Sequence, residues 1–321
     1  MSKRIAIFTH YDLDGIFASF LLEQYFQRQD TTVFCQVKSG SAGKRGRECV
    51  NRKLTNQGLW YYDQIILTDF VPTRQNCQRL LAWQNAHQEN VLIFDHHAQS
   101  SKLFQEFPSL QFILAPSNNE FVSASLLVLN WIKTKDSALY RKYASFANCV
   151  NAYDTYAFSL LPDHPYQDVA IKWNMLFYHL GIEKFLKRVQ TNPAPRYLTS
   201  NELRYCNDQD KLIKNSLELV AMQRQEYLVK LTKHKAIKIW LTNFLPKYAS
   251  EISNIILTEH SDLDIIILSN SNQAIFRTRK DDLDMNRLAR LFNGGGHQKA
   301  AGAKISWLEL ERYFETQTSR K

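Results

Sequence analysis

Cysteine, glycine and proline are scarce in this 321-residue chain, which has 5 cysteines, 10 glycines and 8 prolines. The cysteines are odd in number, widely spaced and never form a C-x-x-C pair, so neither a disulfide framework nor a thiolate zinc site is expected. The chain also lacks internal repeats and low-complexity tracts, which excludes fibrous and disordered classes. This cysteine usage predicts a reducing compartment such as the cytoplasm.

Long apolar runs are missing as well. The first run, residues 5–8, is far shorter than the core of a signal peptide, and no later stretch approaches the length of a membrane span. The sequence therefore predicts a soluble, cytoplasmic protein with no membrane partner.

Negative charge is under-represented, because 40 Lys and Arg stand against 31 Asp and Glu for a net charge of +9. This excess favours an anionic partner such as nucleic acid or nucleotide. One basic cluster follows a Gly-Ser-Ala-Gly segment and has two interpretations, the approach path of an anionic strand or a solvated helix face. Its members are Lys44, Arg45, Arg47, Arg52 and Lys53.

In the first half of the chain, short apolar runs alternate with longer periodic ones. The pattern predicts strands at residues 3–9, 32–37, 64–68 and 90–94, with helices at residues 15–28 and 73–87. Such alternation indicates an α/β fold with a parallel sheet covered on both faces.

The second half predicts a different organisation. Residues 120–190 are mainly helical, and the segment Thr191-Asn192-Pro193-Ala194-Pro195 breaks the helical pattern. A long helix over residues 200–234 then precedes strands at residues 236–241, 263–268 and 274–278, a short helix at 285–292 and a glycine cluster. We therefore predict a catalytic domain at 1–190, a linker with a long helix at 191–235, and a smaller α/β domain at 236–321.

Acidic and imidazole side chains follow three predicted strands. His10, Asp12 and Asp14 alternate after the first strand, Asp69 follows the run that ends at Thr68, and Asp95-His96-His97 follows the run that ends at Phe94. Taken singly, each has another interpretation, because aspartate is also common as a helix N-cap and in turns. Together they predict a shared edge of the sheet, where open parallel sheets bind ligands.

Carboxylates that converge repel one another unless cations neutralise them. Oxygen ligands mixed with imidazole, and no thiolate, favour Mn²⁺, with Mg²⁺, Co²⁺ or Fe²⁺ as alternatives. Asp154 is a candidate for one further anionic ligand, because the cluster needs one; by itself this residue is more typical of a solvated helix end.

These motifs, in this order, resemble those of the DHH phosphoesterase superfamily. The C-terminal run Asn293-Gly294-Gly295-Gly296-His297-Gln298-Lys299-Ala300-Ala301-Gly302 resembles the glycine-rich signature of the DHH-associated C-terminal domain, and Phe276-Arg277-Thr278-Arg279 resembles the arginine-bearing strand before it. Asn293 departs from the family pattern, which often has glycine there. Asparagine tolerates unusual backbone angles, so we expect the loop to be preserved.

The resemblance implies a site with two divalent cations. One cation would be held by His10, Asp12 and Asp69, and the other by Asp14, Asp69, His96 and Asp154, with Asp69 shared. His97 would contact the scissile phosphate or protonate the leaving oxygen, and Asp95 would orient a histidine. The substrate would be held by Arg277, Arg279, Gly294, Gly295, Gly296 and His297.

The favoured function is a nanoRNase-like phosphodiesterase that releases 5′-mononucleotides from short oligonucleotides or dinucleotides. Other enzymes of the superfamily stay open: a RecJ-type single-strand exonuclease, a cyclic-dinucleotide phosphodiesterase and a 3′-phosphoadenosine 5′-phosphate phosphatase. The glycine-rich loop argues against a type II pyrophosphatase. Outside enzymes, the alternative is a non-catalytic nucleotide-binding module. Related enzymes commonly associate, so a homodimer is a further expectation.

Overall fold

The computed structural model describes residues 3–29, 34–41, 54, 57–116, 121–161, 163–232, 235–296 and 298–318. The basic cluster at residues 44–53 and the predicted site residue His297 lie outside these described residues. The chain divides into two compact units, Met1–Cys206 and Asn207–Lys321. The domain bounds predicted at residues 190 and 235 stay predictions.

The first unit is built on a parallel sheet. Its strands are β1 (Arg4–Tyr11), β2 (Phe34–Ser41), β3 (Gln64–Thr68), β4 (Leu92–Asp95) and β5 (Gln111–Leu114). They form one 5-stranded sheet in the order β2-β1-β3-β4-β5, and every neighbouring pair is parallel. This arrangement confirms the predicted fold class. The short edge strand β5 was not predicted, because its four residues are only partly buried and give a weak apolar pattern.

Both faces of this sheet are covered by packed side chains. Successive residues of a strand point to opposite faces, and Ile5, Ala6, Ile7 and Phe8 are all at most 1% exposed. Ala6 and Phe8 share an apolar cluster with Trp83, which fixes one face. Burial on both sides is what an all-parallel sheet requires.

Helices separate and follow these strands. They are α1 (Leu13–Gln27), α2 (Arg74–His87), α3 (Ala98–Glu106), α4 (Ala124–Lys133), α5 (Ser137–Asp154), α6 (Ala157–Leu160), α7 (Ala170–Leu180) and α8 (Ile182–Thr191). Helix α1 begins after Asp12, whose side chain accepts from Gly15 N, and its first ten residues are buried. Helix α2 begins after Thr73, whose side chain accepts from Asn76 N.

The long helix predicted over residues 200–234 is wrong in its last third. Helix α9 (Ser200–Gln223) ends there, and the next residues form strand β6 (Gln225–Thr232), which pairs antiparallel with β7 (Lys235–Thr242). Exposure changes from one residue to the next, as Tyr227 is 9% exposed and Leu228 is 62% exposed. This period of two is typical of a strand with one buried face and is lost when the segment is treated as a continuation of the helix.

The second unit contains a mixed sheet completed by β8 (Ile265–Ser269), β9 (Ala274–Arg277), β10 (Gly295–Gly296) and β11 (Ala300–Ala303). The 6 strands run in the order β10-β11-β9-β8-β7-β6, and β7 and β8 are parallel while the other pairs are antiparallel. Its helices are α10 (Ala249–Glu259), which was not predicted, α11 (Met285–Arg290) and α12 (Trp307–Thr318). An apolar cluster that includes Ile239, Ile267 and Phe314 forms the core.

Within the described ranges, no helix combines the length and the apolar character that crossing a lipid bilayer requires.

Candidate metal centre

Three adjacent strands of the first unit deliver acidic and imidazole side chains to one edge of the sheet. Strands β1, β3 and β4 are parallel neighbours, so their carboxyl ends lie side by side. The side chains at and just beyond these ends are His10, Asp12, Asp14, Asp69, Asp95, His96 and His97. Helix α5 adds Asp154 at its last residue. The structure thus brings together residues from four separate parts of the chain.

Asp69 is central to this group. Its Oδ1 lies 3.2 Å from His96 Nε2, and its Oδ2 lies 3.5 Å from His10 Nδ1. The residue is 3% exposed and has a left-handed backbone with φ of 52°, which is uncommon for a residue with a Cβ. Its amide donates to Phe94 O at 2.9 Å, which ties this conformation to the end of β4. Asp69 thus keeps a strained backbone conformation at the position where its carboxylate faces the imidazoles of His10 and His96.

Gly15 is required by the close approach of β1 and Asp69. A Cβ at this position would lie 2.6 Å from His10 O and 3.1 Å from Asp69 Oδ2. Glycine therefore lets helix α1 start directly against the site, and Asp14 can enter it from the first turn.

Three overlapping groups have the composition of metal sites. Within each group, one possible ligand atom per residue lies within 4.8 Å of the others; the groups are His10, Asp12 and Asp69; Asp69, His96 and His97; and Asp14, His96 and Asp154. Asp69 and His96 each occur in two of these groups. His96 Nε2 lies 3.6 Å from Asp154 Oδ2. The arrangement suits more than one cation, because neighbouring groups share ligands.

Asp14 is held by the first residues of helix α4, a contact that was not predicted from the sequence. Its carboxylate accepts from Ala124 N at 2.8 Å and from Ser125 N at 2.9 Å, at the beginning of α4. Asn151 of α5 supports the same segment, since its Oδ1 accepts from Ser123 N at 2.7 Å. The serine that precedes the apolar run of α4 is the signal that indicates a helix start here. Nothing local in the sequence links it to Asp14, 110 residues earlier.

Asp95 orients His97 from a fully buried position. It is 0% exposed, and its Oδ1 lies 2.6 Å from His97 Nδ1. Its Oδ2 accepts from the hydroxyl of Ser100, and Oδ1 also accepts from His96 N at 3.0 Å. Ser100 was not predicted. These contacts fix the histidine ring from behind, as the partners of functional histidines commonly do.

The carboxylates influence one another strongly. Burial, followed by the charge of Asp69, raises the pKa of Asp14 to about 6 and also raises the pKa of Asp12. Burial, followed by the charge of Asp14, raises the pKa of Asp154. Burial also disfavours the charged form of Asp69, but the facing His10 and His96 outweigh it and lower the pKa of Asp69. The centre therefore contains more negative charge than its own histidines neutralise.

The histidines show the complementary effect. Burial alone would lower the pKa of His10, but Asp12 and Asp69 outweigh it and raise that pKa to about 10. Burial likewise opposes protonation of His96, and the charge of Asp154 is the first cause that raises its pKa. Without cations, protons thus supply part of the compensating positive charge.

Two carboxylate oxygens test whether a metal fits. Asp69 Oδ2 and Asp154 Oδ2 are buried, and within the described residues neither accepts a hydrogen bond. Buried carboxylate oxygens without donors are costly, and a divalent cation is a suitable partner for them. Carboxylate and imidazole without thiolate is also the donor set that hard or borderline divalent cations prefer. The residues present fit a metal centre.

Comparison with known proteins agrees with this geometry. A family model described as "DHH family, N-terminal domain" matches residues 4–152, and one described as "DHHA1 domain" matches residues 234–318. The chain belongs to the DHH family. The first match falls in the unit that contains the carboxylates and the second falls in the mixed-sheet unit. As a DHH-family phosphoesterase, the protein is a hydrolase.

Individual relatives are distant. Oligoribonuclease NrnB of Bacillus subtilis (strain 168) is 24% identical over 309 residues, which are 94% of this chain and 72% of the relative. RecJ of Thermus thermophilus, solved in complex with Mn²⁺, is similar with a TM-score of 0.62 and 15% identity, over 99% of this chain and 51% of that one. PggH of Vibrio cholerae, a pGpG-specific phosphodiesterase, gives 0.54 and 12%, over 99% of this chain and 98% of that one. These solved structures share the fold of this DHH protein.

The DHHA1 unit positions the two predicted substrate-binding arginines against helix α10. Arg277 Nη2 donates to Ser250 Oγ at 2.9 Å, and Arg279 Nη1 donates to Thr258 Oγ1. Arg277 ends β9 and is half-buried, whereas Arg279 is exposed. The hydroxyl partners were not predicted, because α10 itself was not.

The three glycines of the loop Gly294-Gly295-Gly296 differ in how much space a Cβ would find at each position. A Cβ on Gly294 would lie 2.3 Å from Gly302 O, and one on Gly296 would lie 2.5 Å from Ala300 O, so both allow β10 to pack against β11. A Cβ on Gly295 would meet only Asn286 Oδ1 at 3.7 Å, an ordinary contact. Asn293 has a left-handed φ of 56°, a conformation that asparagine tolerates better than most residues.

Proposed function

We propose that this DHH protein is a nanoRNase-like phosphodiesterase that hydrolyses short oligonucleotides or dinucleotides to 5′-mononucleotides with the help of two manganese ions. The observation that carries the proposal is the set of three overlapping ligand groups, in which Asp69 and His96 each belong to two groups. Further support comes from the similarity to a protein named an oligoribonuclease and from the fold shared with a Mn²⁺-bound RecJ. The buried thiols of Cys77, Cys149 and Cys206 support the cytoplasm as its compartment.

The first proposed ligand set is one of the three groups, and the second adds Asp69 to the group of Asp14, His96 and Asp154. His10, Asp12 and Asp69 would hold one cation, and Asp14, Asp69, His96 and Asp154 the other. Divalent cations bound there supply Lewis acidity toward a phosphate and lower the pKa of water. The orphaned oxygens of Asp69 and Asp154 support these assignments.

His97 is the proposed proton donor to the leaving oxygen. The charge of the buried Asp95 outweighs the effect of burial on His97 and raises its pKa, which favours the protonated imidazole. Their 2.6 Å contact fixes the ring orientation. A positioned and protonated imidazole is suited to general acid catalysis.

The DHHA1 unit is the proposed holder of the rest of the substrate. Arg277 and Arg279 offer guanidinium groups for phosphate, and the Gly294-Gly295-Gly296 loop offers backbone N–H groups. His297 belongs to the same proposal. Of the three glycines, Gly295 has the open space that a ligand contact needs.

A hydrolysis panel tests the proposal. The protein is freed of metal with a chelator, dialysed and supplied with Mn²⁺, Mg²⁺ or Co²⁺. Its substrates are a labelled dinucleotide, a pentamer, a long single strand, a cyclic dinucleotide and 3′-phosphoadenosine 5′-phosphate. We expect fastest release of 5′-mononucleotides from the dinucleotide in Mn²⁺ and none in chelator. Preference for the long strand would instead indicate a RecJ-type exonuclease, and absence of every product would contradict an enzyme.

Replacing the shared ligand tests the role of Asp69. In Asp69→Asn, loss of the negative charge removes a ligand from both cations, and we expect kcat to fall by about a thousandfold or more. Measurement of bound manganese by elemental analysis should show the accompanying loss of metal.

Asp63→Asn is the matched control. Asp63 precedes β3, at the sheet edge opposite the centre, and pairs with Arg4 at 3.1 Å. This change should leave kcat within about twofold, because Asp63 lies at the end of the strands opposite the proposed ligands. Near-native turnover in Asp69→Asn would remove Asp69 from the mechanism.

A further inference from the structure

Three aromatic rings lie next to the carboxylate that ends α5. Tyr153 immediately precedes Asp154, and Tyr156 and Phe158 follow within four residues. We call these three rings the aromatic triad. Their centroids are 6.0, 6.2 and 5.7 Å apart, and their planes differ by 34°, 10° and 31°. Tyr153 and Phe158 are thus nearly parallel, Tyr156 is tilted against both, and all three rings lie close in sequence to the proposed metal ligand Asp154.

The triad differs in exposure from the aromatic core of the same unit, and in ring angle from most pairs of that core, where Phe17 and Phe20 are an exception at 27°. In that core, Phe17 and Tyr143 meet at 74°, and Phe146 and Trp173 meet at 77°. All four core side chains are 0% exposed, whereas each ring of the triad is only half-buried. Edge-to-face contacts are a usual way in which rings pack with one another. Nearly parallel rings that keep accessible surface are better suited to a flat ligand.

The backbone fixes the triad at the cost of strain. Tyr156 has a left-handed φ of 57°, and its amide donates to Tyr153 O at 3.1 Å. Asn174 Nδ2 donates to the Tyr153 hydroxyl at 2.6 Å and so holds the first ring from α7. A bulky residue in this conformation is unusual and persists only where its surroundings impose it. Strain of this kind is common where a side chain must point at a ligand.

We infer that the aromatic triad stacks a nucleobase of the substrate beside the phosphate to be cleaved. This inference rests on the proposed function, because the metal centre supplies the place for the phosphate. In a nucleotide, one sugar separates the anionic phosphate from the flat, uncharged base. The phosphate would bind the cations held by the carboxylates, and the base would stack on the nearby aromatic rings. Stacking on aromatic side chains tolerates every base, since each has a π face. The triad would therefore contribute affinity for short nucleic acids of any sequence.

The experiment compares substrates with and without bases. Hydrolysis of diadenosine monophosphate (ApA) and of a base-free dinucleotide with the same sugar-phosphate backbone is measured with manganese for wild type, Tyr156→Leu and Phe158→Leu. We expect KM for ApA to rise about tenfold in each leucine variant while kcat stays within about twofold. KM for the base-free substrate should not change.

Conservative and distant replacements serve as controls. Tyr156→Phe and Phe158→Tyr keep a ring and should restore KM, which separates lost stacking from misfolding. Tyr61→Leu removes an aromatic ring that is 57% exposed and precedes β3, at the opposite sheet edge, and should leave KM unchanged. Equal shifts for both substrates, or no shift for ApA, would overturn the inference while leaving the phosphodiesterase proposal intact.

If the wild type cleaves neither substrate, the proposed function is wrong. Binding of the reaction product then tests the aromatic triad separately. In calorimetry with manganese, wild type should bind adenosine 5′-monophosphate about tenfold more tightly than ribose 5-phosphate, and both leucine variants should lose this difference. Equal affinity of wild type for the two ligands would overturn the triad as a base site.

Discussion

At the scale of single residues, the metal centre consists of side chains whose pKa values are shifted by burial and by the charges of their neighbours. His10 faces Asp12 at 2.5 Å and Asp69 at 3.5 Å, and these carboxylates raise its pKa to about 10 despite burial. In the metal-free protein, His10 is therefore protonated at neutral pH. A cation binds only the neutral imidazole, so one ring nitrogen must lose its proton before the metal can bind there.

Metal binding should accordingly release protons. Because the raised pKa of His10 means that its proton is held more tightly, the affinity for manganese should strengthen as pH rises toward about 10. Asp14, with a pKa of about 6, adds to this dependence only at acidic pH. Calorimetric titration in buffers of different ionisation enthalpy counts the protons released.

His10→Gln is the control for this prediction. Glutamine has no proton to lose at this position, so the number released near neutral pH should fall by about one. A manganese affinity that does not change with pH in the wild type would contradict the release of this proton.

At the scale of elements, the positions of α4 and α5 decide where Asp14 and Asp154 lie. Asn151 Oδ1 accepts from Ser123 N at 2.7 Å, and its Nδ2 donates to Phe121 O at 3.1 Å. Asn151→Ala would remove the acceptor of the buried Ser123 N–H, so we expect a loss of about 2 kcal/mol in the free energy of unfolding. Since the same segment holds Asp14, manganese affinity should fall as well; urea titration and calorimetry measure the two effects.

Asn148→Ala is matched to this change on the same helix. Asn148 is exposed and donates only to Ala144 O at 2.7 Å, so its removal should alter stability by less than about 0.5 kcal/mol. Equal effects of the two replacements would show that Asn151 does not hold the segment.

The β10–β11 hairpin depends on glycine for its packing. Gly294→Ala brings a Cβ within 2.3 Å of Gly302 O and should destabilise the second unit by about 2 kcal/mol or more. Gly295→Ala meets no such obstacle and should keep the stability of wild type. Thermal unfolding of both variants, followed by circular dichroism, tests the difference; equal melting temperatures would argue against a packing role for Gly294.

At the scale of the whole molecule, the two units should respond differently to metal. All proposed ligands belong to Met1–Cys206, so cation binding stabilises that unit by mass action, by about 2.7 kcal/mol at a hundredfold excess over Kd. Hydrogen exchange followed by mass spectrometry should show added protection at the ends of β1, β3 and β4 when manganese is present. Peptides from β10 and β11 should exchange unchanged.

Asp69→Asn should abolish this added protection. Protection that appears equally in both units, or that persists in the variant, would indicate that manganese binds elsewhere.

Much of the fold and the composition of the site follow from local sequence. The buried runs of β1, β3 and β4 are short, apolar and bounded by polar residues, so their strand character is evident without the structure. The segment after Gln223 shows the limit, because its alternating pattern directly continues a helical one and only pairing with β7 reveals a strand. Helix α10 was not predicted either, because no capping side chain marks its start.

The sequence by itself determined that carboxylates and imidazoles occur at strand ends, because parallel strands align those ends along one edge. Only the tertiary structure decided how they meet: that Asp69 adopts a left-handed backbone between His10 and His96, and that α4 donates two amides to Asp14. It also decided that Tyr153 and Phe158 lie nearly parallel, with Tyr156 tilted against both. The physical reason is that such contacts join residues far apart in the chain or depend on a strained turn, and local propensity contains no information about either.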